Sequence, residues 1–298
     1  AASLAVKAGG AVTQVADKAI EVTGATSVDA GNNDVTLGNA NNDFNSIAVT
    51  AKAASITDKN AVALDSIKAA SLAVKAGGAV TQVADKAIEV TGTSSVDAGN
   101  NDVTLGNANN DFGSIGVTAG SATVNDKNAV TMDSFKVTTL AMKAGGPIDQ
   151  TPESALLIAG PSRFDSPETI VLPSLDNRFG GPVSLRGTDV NLGSDAQIII
   201  GERNIRSLEL QGAPNRIADA DSLSRVAGVT QVGSSNQTVS APATTGPDAF
   251  ASEPNPAEVG GNTEPLLVFS DVARTVPAGT VLVIGGIRLP GVGNEEQN

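Results

Sequence analysis

The stretch Gly31-Asn32-Asn33-Asp34-Val35-Thr36-Leu37-Gly38-Asn39-Ala40-Asn41-Asn42-Asp43-Phe44 returns 68 positions later, letter for letter, as Gly99 to Phe112. The copy is part of a larger one. Ala1 to Lys68 and Ala69 to Lys136 align without gaps and differ at 12 positions. The differences sort by chemistry. Ile56/Val124, Leu64/Met132 and Ile67/Phe135 keep an apolar residue apolar, whereas Lys52/Gly120 and Thr57/Asn125 change freely, as inward and outward positions should.

Between turn residues the unit carries short apolar runs with period two: Leu4-Ala5-Val6, Ala19-Ile20-Glu21-Val22, Val35-Thr36-Leu37, Ile47-Ala48-Val49 and Ala61-Val62-Ala63-Leu64. Period two reads as strand. The runs are separated by Gly9-Gly10, Gly31-Asn32-Asn33-Asp34, Asn41-Asn42-Asp43 and Asp58-Lys59-Asn60, residue types that tolerate positive φ or bond their own backbone in tight turns. Apolar spacing at three and four is not sustained, and Gly, Asn, Thr and Val are mediocre helix formers. Strands this short do not hold themselves together, but stacked edge to edge in parallel ladders about 4.8 Å apart they share one core. Composition agrees. The chain of 298 residues has no Cys, His, Trp or Tyr and only 7 Phe, so thin layers of small and branched side chains must fill that core.

The expected fold is therefore all-β, a parallel β-helix with three strands per coil of about 22 residues, in line with the short units of stacked-coil proteins. The coils are cut as Ser3 to Gly24, Ala25 to Ser46 and Ile47 to Lys68. Residues 1–68 and 69–136 form two units of three coils each, and 137–212 a divergent third. Equivalent residues of successive units are then expected about 14 Å apart along the axis, three strand spacings. Lys7, Lys75 and Lys143 would form a column, and so would Lys18 and Lys86.

The third unit opens as Val137-Thr138-Thr139-Leu140-Ala141-Met142-Lys143-Ala144-Gly145-Gly146 and then drifts, with Pro147, Pro152, Pro161, Pro167 and Pro173 where the earlier units have no proline. Drift at an array's end suits a coil that must cover an exposed core and sheet edge. Residues 213–265 read as an irregular linker, with Ser234 to Pro265 rich in Pro, Ser, Thr, Gly, Asn and Glu. Residues 266–298 read as a C-terminal β segment. Its apolar runs around Leu266, Val268, Val281 and Val283 form a hairpin that docks on the last coil or a strand donated to another molecule.

With the repeat laid out, Asn-Asp-Phe before a strand, then Asp-Lys-Asn-Ala-Val, then Leu-Ala-Val-Lys-Ala-Gly-Gly-Ala-Val-Thr-Gln resemble the repeats of bacterial exoproteins of the filamentous haemagglutinin type. The resemblance covers Ala1 to Gly212. It implies an elongated right-handed β-helix, secreted to the surface of a Gram-negative-type bacterium by a partner transporter, acting as an adhesin or biofilm matrix scaffold. The partners it implies are host or bacterial surfaces, exopolysaccharide or other copies of the chain.

Charge and composition bound the rest. A net charge of −13 disfavours nucleic acid and anionic membrane surfaces as partners. No run of 18 apolar residues exists, so no membrane-spanning helix is expected. Ala1 to Lys7 already lies inside the repeat, so no cleavable signal is read there and the chain is expected to be a piece, or the processed tail, of something longer.

Candidate sites have competing readings. Asp34, Asp43, Asp102 and Asp111 sit in acidic turns whose carboxylates and amide carbonyls suit Ca²⁺. Their spacing matches neither a Gly-Gly-x-Gly-x-Asp repeat nor a helix-flanked calcium loop, and the turns are read instead as structural Asx turns, with no metal or other cofactor assigned. Asp176, Arg178, Arg186 and Asp189 are the best cluster for polysaccharide cleavage, and Glu202-Arg203 with Arg206 are another. That chemistry needs two carboxylates at a set separation, and the cluster is read as solvated surface charge. Phe44, Phe112 and Phe179 are read as core plugs at a coil corner. The expected function is non-enzymatic: an adhesive stalk, or alternatively a filament subunit joined by terminal strand addition.

Overall fold

A computed structural model of the chain describes residues 1–212 in full and, beyond them, the backbone of Val229–Val232, Asn236–Ser240, Val283–Ile284 and Ile287–Arg288. The described elements are all strands, and 24 of them join in a single sheet wound on itself in about ten coils. Pairing is parallel throughout residues 1–212, from Leu4↔Thr26 to Leu192↔Leu210. The fold is a parallel β-solenoid, consistent with the right-handed sense that parallel crossovers take. No helix among the described residues is long and apolar enough to cross a membrane.

The coils are three-sided. In the third unit the sides are distinct: Ser162–Asp165, Ile170–Leu172 and Arg178–Phe179 stack on Leu140 to Lys143, Ile148–Gln150 and Leu156–Ile158. Alternation along each run sends one residue in and the next out, as in Leu72 to Ala76, where Leu72, Val74 and Ala76 are buried between exposed Ala73 and Lys75. The inward residues merge into one apolar core running from Val22 to Leu210. Each Val, Leu or Ile removed from water contributes about 1.5–3 kcal/mol, so ladders of branched aliphatics offset the ordering of a chain with almost no aromatic mass.

The stride differs from the even 22 residues expected. Steps along the ladders run from 17 residues (Ile47 to Leu64) to 23 (Val12 to Val35). Val6 stands in the first coil, and its ladder partners Val28, Val49 and Ile67 mark the second, third and fourth. Its copy Val74 lies further along that fourth coil, one side on, in register with Leu37 and Ile56. A unit of 68 residues thus makes three coils plus one side, about 20 residues per coil and about 16 Å of axial rise at the usual strand spacing.

The lysine column does not form, for the same reason. Lys7 is registered on Asp29, Lys75 on Thr57 and Asp97, and Lys143 on Asn125 and Asp165. The three copies occupy three different ladders, one on each side of the prism.

At the far end the last parallel strand, Ser207–Gln211, is covered on its outer edge by Asn236–Ser240, which runs antiparallel to it and to Val229–Val232. These two strands fall inside the stretch read as linker. Leu266, Val268 and Val281 lie outside the described residues, and Val283 belongs to a two-residue strand paired antiparallel with Ile287–Arg288.

Candidate functional site

Corners are where a β-solenoid must satisfy backbone groups that no ladder reaches. Here one device recurs three times. Gln14 donates from Nε2 to Asn42 Oδ1 at 2.6 Å, and Asn42 returns a bond from Nδ2 to Gln14 Oε1 at 3.0 Å. The rest of each amide reaches backbone: Gln14 Nε2 to the Lys18 carbonyl, Asn42 Nδ2 to the Leu37 carbonyl, and the Ile20 and Asn39 N–H groups onto Asn42 Oδ1 and Gln14 Oε1. Gln82 with Asn110 and Gln150 with Asn177 repeat the arrangement. Asn42, Asn110 and Asn177 are wholly buried. The clasp ties two consecutive coils and frames a tight turn whose Asp17, Asp85 or Glu153 takes positive φ. The sequence reading placed Asn42 in a turn and quoted Gln14 in the repeat motif without pairing them. The available signal was the survival of both amides in the drifted third unit.

Beside the clasp stand Phe44 and Phe112, fully buried, and Phe179, 4% exposed, which meets Phe164 edge to face at 6.4 Å. The N–H groups of Phe44 and Asn60 donate to the two oxygens of buried Asp58, and Phe112 and Asn128 do the same to Asp126. Burial pushes both carboxyls above the ordinary carboxylate range, and the two backbone donors pull the other way. In the third unit Ser194 takes the position, donating to the Asn177 carbonyl.

The carboxylates considered for Ca²⁺ are held differently. Asp43 faces Lys59 at 3.0 Å and accepts from Asn60 Nδ2, and Asp111 faces Lys127 at 2.8 Å and accepts from Asn128. The lysine holds each carboxyl below its usual value. Asp34 and Asp102 are exposed on separate coils. Among the described residues no three His, Cys, Asp or Glu side chains converge. Asx turns are present, with Gly31 N–H on Asp29 Oδ1 and Asn41 N–H on Asn39 Oδ1.

The cluster considered for polysaccharide cleavage is dispersed. Arg178 donates to the Leu175 and Asn177 carbonyls, Arg186 faces Asp165 at 3.6 Å, and Asp189 is engaged by Arg206 and Ser207. Asp176 receives only a backbone–hydroxyl turn at its own N–H, donated to Ser174 Oγ. No pair of these carboxylates faces another across a cleft. Two shallow troughs lie on the flat sides, one over Thr36, Ser55 and Ala73 and one over Thr123, Ala141 and Arg163.

No curated protein and no solved structure matches the chain. A repeat family does, at residues 1–51, 51–118 and 119–186, and its two complete matches span the same 68-residue period that the sequence shows. These segments cover well over half of the chain, which therefore belongs to the family described as repeats of unknown function (DUF5649).

Proposed function

We propose that the chain is a non-enzymatic structural scaffold, a β-solenoid stalk that acts outside the cell as an adhesive or matrix element. One observation carries the reading: among the described residues inward space is filled by a continuous apolar core and outward space by repeated flat sides with shallow troughs, so the coils offer a long surface. A surface of that kind suits many weak, spaced contacts, whose joint strength exceeds that of any one of them. The resemblance to filamentous haemagglutinin-type repeats supports the extracellular, bacterial-surface placement. The filament alternative needs an open strand edge as acceptor; Asn236–Ser240 occupies the one at Ser207–Gln211, and the outer edge of Leu4–Lys7 pairs with no strand among the described residues.

The test has two arms. Protease added to intact producing cells should remove the chain if it is displayed, and beads coated with purified chain should adhere to those cells or to their matrix. Full protection from protease, or coated beads that adhere no better than bare ones, would reject the proposal.

A further inference from the structure

One side of the prism in the third unit carries arginines that the earlier units lack. In the first unit Lys7 closes on its ladder neighbour Asp29, Nζ to Oδ2 3.2 Å, whereas Lys75 and Asp97 in the second are ladder neighbours without an ion pair. The same positions in the third unit are Lys143 and Asp165, again ladder neighbours. Asp165 is engaged elsewhere, by Arg163 at 3.3 Å and by Arg186 of the next coil at 3.6 Å. Arg163 stands where the earlier units have Ser27 and Ser95. Three cations therefore gather round a single carboxylate that is itself only 13% exposed, while Arg163 and Arg186 remain 55% and 62% exposed. Lys143 is exposed and makes no ion pair among the described residues. On a chain of net charge −13 this side carries a local excess of positive charge.

Next to the cations lies the trough over Thr123, Thr139, Ala141 and Ser184, half-buried small residues, of which Thr123, Ala141 and Ser184 share one ladder with Arg163. Thr139 already donates to Ser121 across adjacent coils at 2.9 Å. Lys143, Asp165 and Arg186 follow one another in a single ladder, so the two cations stand two strand spacings apart along the axis with the carboxylate between them.

We propose that this side docks a carboxylate-bearing polysaccharide, a uronate polymer lying along the axis, with Arg163 and Arg186 on its carboxylates, Lys143 as a third contact, and Thr123, Thr139 and Ser184 on its hydroxyls. Guanidinium forks match planar carboxylates, and the Thr and Ser hydroxyls beside them suit the hydroxyls of a sugar. Duplex DNA is disfavoured, because its dense charge meets the field of an acidic protein over a much longer footprint than three cations neutralise. The inference deepens the scaffold reading and rests on it.

The experiment is a titration of the full chain with polygalacturonate at low and moderate salt. Arg163→Ser with Arg186→Ala, a double variant that lets Lys143 close on Asp165 as Lys7 does on Asp29, should weaken binding at least tenfold. Lys7→Ala should leave it unchanged, and added salt should weaken the wild type. Equal binding by the double variant, an equal loss in Lys7→Ala, or binding to duplex DNA and not to polygalacturonate would overturn the proposal. Scattering from the same samples separates the two readings: a rod that does not bind removes the docking site alone, and the absence of a rod removes the scaffold.

Discussion

Gln82 and Asn110, 28 positions apart, exchange side-chain bonds of 2.6 and 3.1 Å and so lock two consecutive coils by a closed amide pair inside the corner. Removing Asn110 leaves the buried Ile88 N–H without its acceptor and takes one bond from each end of the half-buried Gln82 amide, which keeps the Lys86 carbonyl and the Asn107 N–H. Such an orphan costs about 1–3 kcal/mol. Asn110→Ala should therefore destabilise the middle of the array by about 3 kcal/mol or more, with amide exchange accelerating around residues 82–112 ahead of the ends. Uniform exchange along the variant would show that the clasp is not a local tie.

Copies of one glycine supply an internal control. A Cβ on Gly77 would stand 2.1 Å from the Lys59 carbonyl oxygen, and one on Gly145 equally close to that of Lys127, whereas nothing lies within 4 Å at Gly9. The only difference is a preceding coil. Forcing coils apart costs about 1–3 kcal/mol or more, while an exposed change without contacts stays within about 0.5 kcal/mol. Gly77→Ala should lower the denaturation midpoint clearly and Gly9→Ala hardly at all. Similar losses in both would mean that the glycine serves its own turn and not the stacking.

Stacking of copies was legible in the residues, and the phase of the stacking was not. Period two, the Asn and Gly punctuation and the gapless copy lead to parallel ladders by simple physics. The stride fails because a coil is closed by its corners. A bulge where Ile47 and Val49 pair with Leu64 and Ile67 makes the step 17 residues on one side of it and 18 on the other, and no periodicity of hydrophobicity records a bulge. Sites fared similarly. Asp43 was visible as an acid in a turn, but Lys59, its partner, sits 16 positions on, a distance set by the coil and not by the motif.

Thr26, Ser94 and Ser162 occupy one repeat position, face inward, and have hydroxyls without a partner. A buried hydroxyl that bonds nothing costs about 1–3 kcal/mol by the measure of protein mutants. Thr26→Val keeps the shape and removes the polar atom, so it should raise stability by about 1 kcal/mol in urea denaturation. A loss of stability would reveal a bond made to water.

The acid response should have two opposed parts. Asp43 and Asp111, held low by Lys59 and Lys127, support the fold above the ordinary carboxylate pKa, and that support is lost as pH falls through their depressed values. Asp58 and Asp126 are raised by burial, so the folded state takes up their protons first. Their contribution is fully present below the unfolded pKa and disappears as pH rises through the folded one. Asp58→Asn with Asp126→Asn should remove this second part, so that the variant loses its rise in relative stability on mild acidification. Parallel pH profiles for variant and wild type would exclude these two carboxyls as its source.

The antiparallel strand Asn236–Ser240 stands over the outer edge of Ser207–Gln211 with five residues in register. Without it the edge would present free N–H and C=O groups above an apolar layer that includes Leu208 and Leu210, both fully buried in the intact chain. Open edges of that kind add strands from other molecules. A chain ending at Gly212 should therefore keep its coils, by circular dichroism, and associate through the exposed end in a concentration-dependent way by sedimentation. A truncated chain that sediments as a monomer at high concentration would show that the last coil needs no cover, and the role assigned to the antiparallel strand would fall.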